Sequence, residues 1–220
     1  MYFNTGNPAD QNALNTIAHP AAGVIVDKTY DGQIVFIPDK GSEIGIIFYP
    51  GAKVCYEAYA ELAERIALNG YMCVLVDMPL NLAVLNEDAA DSVIDRFPDV
   101  GQWYLCGHSL GGLAATNYSW KHQNSLEGLI VLAARIKRDF SASTLPILLI
   151  SASEDGICTP EILSSVTIPV PANFTHVVID GGCHGYFGSY GEQKHDGTPT
   201  ISREEQLDQT AESIREFIDQ

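Results

Sequence analysis

Short apolar runs alternate along the chain with longer amphipathic stretches, and that rhythm predicts the elements. Residues 1–22 are polar and are expected to form a loose arm or short helix. Two β-branched runs, Val24-Ile25-Val26 and Ile34-Val35-Phe36-Ile37, then flank Asp31-Gly32, the signature of an antiparallel hairpin. Residues 44–49 are apolar throughout, as a strand buried on both faces requires. Over 58–68, Tyr59, Leu62, Ala63 and Ile66 share one helical face, and Asn69-Gly70 supplies the stop. Further strands are predicted at 72–76, 103–106, 129–133, 147–151 and 177–179. Helices are predicted over 88–97, closed by Pro98, and over 110–122. Thr159-Pro160-Glu161 opens a short helix. Ser202-Arg203-Glu204-Glu205 reads as a capping box, with Leu207, Ala211, Ile214 and Ile218 on one face of the helix it starts.

Apolar strands alternating with helices predict an α/β protein. Its central sheet is mostly parallel, with an N-terminal antiparallel hairpin and helices on both faces. An arm over 1–22 and a single domain over 23–220 suit the length of 220 residues. Sheets of this kind bind ligands at the carboxyl ends of their strands. Residues just past a strand end are therefore the candidates for chemistry.

Composition removes several functions. With 28 acidic against 12 basic residues, the net charge is −16. That argues against nucleic acid, whose phosphates demand basic patches, and against anionic membrane surfaces. No run approaches the ~20 apolar residues of a bilayer span. The opening lacks the basic and apolar regions of a signal peptide, so a cytoplasmic location is expected. The five cysteines are odd in number and contain no CxxC pair, so neither a disulfide framework nor a zinc site is expected. No metal or cofactor is implied. The expected partner is a small-molecule substrate, and the sequence allows a homo-oligomer.

Gly107-His108-Ser109-Leu110-Gly111-Gly112 lies between a predicted strand and a predicted helix. Gly-x-Ser-x-Gly in that context is the pattern of a nucleophile elbow. The serine sits on a sharp turn, and side chains two residues to either side would collide with the neighbouring strand and helix. The helix start aims N–H groups and a positive dipole end at the site, and Leu110 is the natural first oxyanion donor. Ser109 needs a base. Of six histidines, His184 follows the last strand and the flexible Asp180-Gly181-Gly182, which puts it at the carboxyl edge. His195 is the next choice. His108 lies in the elbow itself, His122 late in a helix, His176 ahead of the last strand, and His19 in the arm. Asp155, past the strand at 147–151, is the expected orienting acid, with Glu154 and Asp77 as rivals.

The second oxyanion donor is expected from the loop Tyr49-Pro50-Gly51-Ala52-Lys53, through the N–H of Ala52 or Lys53. Met78 and Leu80, after another strand end, and Tyr186 and Phe187, after His184, are candidate substrate contacts. About a dozen residues separate the strands at 129–133 and 147–151. That is too few for a helical lid, and an open site follows.

These residues, with Phe48-Tyr49-Pro50-Gly51-Ala52-Lys53-Val54, Met78-Pro79-Leu80-Asn81-Leu82-Ala83-Val84 and the run from Gly197 to Gln206, make the chain resemble the α/β-hydrolase superfamily. More narrowly it resembles the bacterial alpha/beta hydrolase family 5 group, related to dienelactone hydrolases, from about residue 23 to 220. The resemblance implies the triad Ser109, Asp155 and His184 and the oxyanion loop after the early strand. Two departures stand out. Tyr49-Pro50-Gly51 occupies the place where many members carry His-Gly. Dienelactone hydrolases proper use cysteine where this chain has Ser109. The expected activity is hydrolysis of a small carboxylic ester or thioester, that of a carboxylesterase. A peptidase or amidase on the same triad, or a non-catalytic binding protein on the scaffold, are the alternatives.

Overall fold

The computed structural model describes residues 6–164 and 169–220. An eight-stranded sheet runs in the order β1-β2-β4-β3-β5-β6-β7-β8. The strands are β1 (Val24–Asp27), β2 (Gln33–Pro38), β3 (Ile44–Tyr49), β4 (Met72–Val76), β5 (Gln102–His108), β6 (Gly128–Leu132), β7 (Ile147–Ala152) and β8 (Phe174–Ile179). The hairpin expected around Asp31-Gly32 joins β1 and β2, with Val26 opposite Phe36. β2 pairs antiparallel with β4. From β4 to β8 every pairing is parallel, so the loops after β3 through β8 all open at one edge.

The helices are α1 (Gln11–Ala18), α2 (Ala60–Leu68), α3 (Ala89–Arg96), α4 (Leu110–Lys121), α5 (Pro160–Ser164) and α6 (Arg203–Ile218). Strand side chains alternate between two cores, as a two-residue period dictates. Phe36, Ile46, Phe48, Cys106, Ile130 and Ile150 face α1, α2 and α6. Val35, Ile47, Val74, Leu105, Val131 and Leu149 face α3 and α4. Both faces being covered explains why the central strands carry no polar alternation.

Three readings are sharpened. The segment expected as an arm or short helix carries α1, capped by the Asp10 carboxylate, which accepts from the N–H groups of Asn12 and Ala13. Ala13 and Ile17 are buried in the first core. Residues 1–5 of that segment lie outside the described residues. β8 begins at Phe174 rather than 177, so His176 lies within a strand and not ahead of it. β8 is an edge strand, half exposed, and Thr175 and His176 break the apolar pattern used to find strands. The capping box forms as expected: Ser202 Oγ accepts from Glu205 N, and the Glu205 carboxylate accepts from Ser202 N. Residues 133–146, between β6 and β7, contain no helix.

Helix α2 shows the division of labour. Ile66 is fully buried against the sheet, whereas Leu68 is 51% exposed. Ile66→Ala should cost about 2–5 kcal/mol and Leu68→Ala no more than about 0.5 kcal/mol, read from urea denaturation midpoints.

Candidate active site

Ser109 stands between the last residue of β5 and the first of α4, with φ 53 and ψ −120. A serine with positive φ is strained, and strain of this kind persists only where surrounding structure enforces it. Here its N–H donates to the Leu132 carbonyl at 2.9 Å, tying the turn to the end of β6. The glycines leave no alternative. A Cβ on Gly111 would fall on the carbonyl oxygens of Tyr49 and Pro50, and one on Gly107 would fall on the Gly111 carbonyl. The collision inferred for these two positions is thus with the end of β3 and with the helix start.

The candidate acid and base come together. Asp155, past β7, is 3% exposed, and its Oδ2 lies 2.8 Å from His184 Nδ1. Asp155 Oδ1 accepts from the N–H groups of Ile157 (2.8 Å) and Cys158 (2.6 Å). The carboxylate is therefore aimed, and with the ring proton on Nδ1 its Oδ2 accepts a hydrogen bond from the imidazole. That tautomer leaves Nε2 with a free lone pair. His184 begins a short 3-10 turn and is 3% exposed. The rivals lie elsewhere. Glu154 is exposed, with a carboxylate oxygen 3.1 Å from Ser153 Oγ, and Asp77 is exposed beside Gly32. His195 and His19 are exposed, His122 stacks on Tyr118, and His176 meets Ser151 Oγ at 2.8 Å.

His108 has a place that the sequence did not disclose. Its ring lies 4.6 Å from that of His184, centroid to centroid, and it is 1% exposed. Burial, with His184 beside it, holds its pKa well below the ordinary histidine value, so it is neutral. The Tyr59 hydroxyl accepts from Gly51 N at 2.9 Å and lies 2.8 Å from His108 Nδ1. The hydroxyl has one proton, and donating it to Nδ1 in a hydrogen bond pairs that nitrogen and puts the ring's own proton on Nε2. Tyr59 thus joins the loop after β3 to the residue next to Ser109. The only sequence trace of this contact is an apolar-face tyrosine that ends in a hydroxyl.

The two candidate oxyanion donors in that loop part company. Lys53, with φ 57, gives its N–H to the Asn81 carbonyl at 2.8 Å. Among the described residues, the N–H groups of Ala52 and Leu110 meet no acceptor. The left-handed backbone of Lys53 turns its N–H toward the loop after β4, which leaves Ala52 the free donor. The N-terminal segment straps the same loop: Asn7 N donates to the Lys53 carbonyl at 2.5 Å, and Cys55 N to the Asn7 carbonyl at 3.1 Å. The apolar candidates also separate. Met78 and Phe187 are core residues, 2% and 0% exposed, whereas Leu80 is 67% exposed. Tyr186 is half-buried, with the Arg203 guanidinium 5.2 Å from its ring centre. The thiol of Cys158, next to the acid, is pushed up to about 11 by burial, and that of Cys183, next to the base, to about 12. Both are protonated near neutrality, so neither is a ready nucleophile.

A serine on a strained strand-to-helix turn and a carboxylate-bound histidine, each in a loop at the open edge of a parallel sheet, are the pattern of the α/β hydrolases. The chain belongs to the alpha/beta hydrolase family, whose model matches residues 45–208. The cutinase est2 of Thermobifida alba is 24% identical over 173 residues, which is 70% of this chain and 57% of the relative. Est1E from Butyrivibrio proteoclasticus superposes with a TM-score of 0.63 at 16% identity, over 90% of this chain and all of its own. A monoacylglycerol lipase from Paleococcus ferrophilus superposes with a TM-score of 0.61 at 14% identity, over 88% of this chain and 99% of its own. No helix among the described residues is long and apolar enough to cross a membrane.

Replacing Tyr59 by Phe strands the buried N–H of Gly51 and removes the partner of His108. Tyr59→Phe should lose about 1–3 kcal/mol of stability in urea denaturation, in excess of the cost at a partly buried tyrosine such as Tyr30.

Proposed function

We propose that this protein hydrolyses a small carboxylic ester or thioester through an acyl-enzyme on Ser109. The observation that carries the reading is the 2.8 Å contact between His184 Nδ1 and the buried Asp155 carboxylate, at the strand edge that also bears the strained Ser109. An imidazole held in this way is organised to accept a proton at Nε2. Relatives named as a cutinase and a monoacylglycerol lipase, and a structure of Est1E with ferulic acid bound, support an ester as the substrate class.

In this mechanism Ser109 Oγ attacks the carbonyl carbon while its proton passes to His184 Nε2. Charge develops on the carbonyl oxygen, which the N–H groups of Leu110 and Ala52 receive at the positive end of α4. The Asp155 carboxylate stabilises the imidazolium and is not itself protonated. Collapse expels the alcohol or thiol, which takes the proton from His184. Water then attacks the Ser109 ester, again with His184 as base, and the acid leaves. Leu80 is the contact offered to the leaving group or acyl chain.

Hydrolysis of p-nitrophenyl esters from C2 to C8 tests this. The wild type should act best on short acyl chains. Ser109→Ala and His184→Ala should each lower kcat/KM by roughly 10⁴-fold or more, and Asp155→Asn by about 10³–10⁴-fold. A folded Ser109→Ala protein with wild-type rates would overturn the assignment, and so would a wild type inert to every ester and to fluorophosphonates.

A further inference from the structure

We propose that Asp196 is a positioning residue that holds the candidate base and the candidate acid in register, a role that rests on the reading of Ser109, Asp155 and His184 given above. Its carboxylate gathers four backbone N–H groups. Oδ1 accepts from Gly156 at 3.1 Å, His184 at 3.1 Å and Gly197 at 2.8 Å. Oδ2 accepts from Gly185 at 2.7 Å. Gly156 follows Asp155 in the loop after β7, and His184 and Gly185 belong to the loop after β8. One side chain therefore binds the backbone of the base itself and the residue next to the acid.

The approach is close enough to require glycine. A Cβ on Gly156 would lie 2.6 Å from both Gly197 N and the His195 carbonyl oxygen, and one on Gly197 would fall on the Glu154 carbonyl oxygen. Nearer the strands, Glu154 N donates to the Gly182 carbonyl at 2.8 Å and Gly181 N to Ser153 Oγ at 2.8 Å. Those bonds continue the ladder between β7 and β8. They stop short of Asp155 and His184, where Asp196 takes over. Gln206 also holds the base loop, through Cys183 N (2.9 Å) and Cys183 O (2.8 Å), but it reaches α6 rather than the acid.

A carboxylate suits this place and an amide does not. Half-burial works to raise the Asp196 pKa, and the four N–H donors more than reverse it, so the group stays charged. An asparagine offers a single acceptor oxygen and would set its own NH₂ against at least one of the four N–H groups. The base loop would then shift relative to Asp155, and small misplacements of a proton-transfer group cost rate steeply.

The test is steady-state hydrolysis of p-nitrophenyl acetate by Asp196→Asn, with active sites counted by fluorophosphonate titration and Ser109→Ala and His184→Ala as controls. We expect kcat per titrated site to fall about tenfold to a hundredfold, with KM nearly unchanged. A purely supporting residue would lower the melting temperature or the titratable fraction and leave kcat per site intact. That result, or an unaltered enzyme, overturns the proposal. If Asp196→Asn is insoluble, Asp196→Ser is read in the same way, since its hydroxyl still accepts but is too short to serve both loops. Wild-type rates in either control would instead sink the reading of the triad, and this proposal with it.

Discussion

The turn between β5 and α4 is the constraint on which the rest of the site depends. It forces Ser109 into a conformation that serine disfavours, at a cost of about 1–3 kcal/mol. The bond from Ser109 N to the Leu132 carbonyl and the packing of Gly111 under β3 hold it there. Those contacts exist only because β3, β5 and β6 are neighbours in register. β3 faces β5 from Ile44 opposite Gln102 to Tyr49 opposite Gly107. The two apolar cores that fix this register therefore also fix the direction of one hydroxyl.

Around that turn the loops are joined to one another rather than left to the strands alone. Tyr59 ties Gly51 to His108. Lys53 is bound to Asn81 on one side and to Asn7 on the other. Ser189, five residues after His184, gives its N–H to the Ala58 carbonyl at 2.7 Å, and its Oγ lies 2.8 Å from Glu61 Oε1. An open sheet edge becomes a rigid frame in this way, because each loop's backbone groups find partners on the next loop. The electrostatics follow the same plan. Burial keeps His108 neutral, and the Asp155 carboxylate is supplied with N–H donors, so the carboxylate at 2.8 Å is the group that would favour an imidazolium at His184 in the proposed reaction.

The fold was legible wherever local rules sufficed. Period-two and all-apolar runs marked β1 through β7. The 3.6-residue period marked α2, α3 and α6, and the Ser202–Glu205 pair marked the start of α6. Legibility was partial at β8, read only from residue 177, because its half-exposed face carries Thr175 and His176. It was incomplete at the N-terminus, where Asn7 and Asp10 act through bonds to residues far away in the chain: Asp10 N donates to the Ser189 carbonyl, and Asp10 pairs with Arg203 at 2.7 Å. Bonds of that sort leave no periodic trace.

By itself the sequence determined the sheet with its covering helices and the elbow glycines, and it offered Ser109, Asp155 and His184 as candidates in that order, because each of these readings follows from spacing, propensity or a steric demand between near neighbours. Tertiary structure decided the finer choices. It put Asp155 rather than Glu154 on His184, since the direction of a side chain past a strand end depends on how the loop closes. It engaged Lys53 N with Asn81, which left Ala52 free. It buried Met78 and exposed Leu80, two residues apart in one apolar segment. It gathered four N–H groups from two loops onto Asp196. Each of these is a contact between segments distant in sequence, and only the register and packing of the whole sheet bring them within hydrogen-bonding distance.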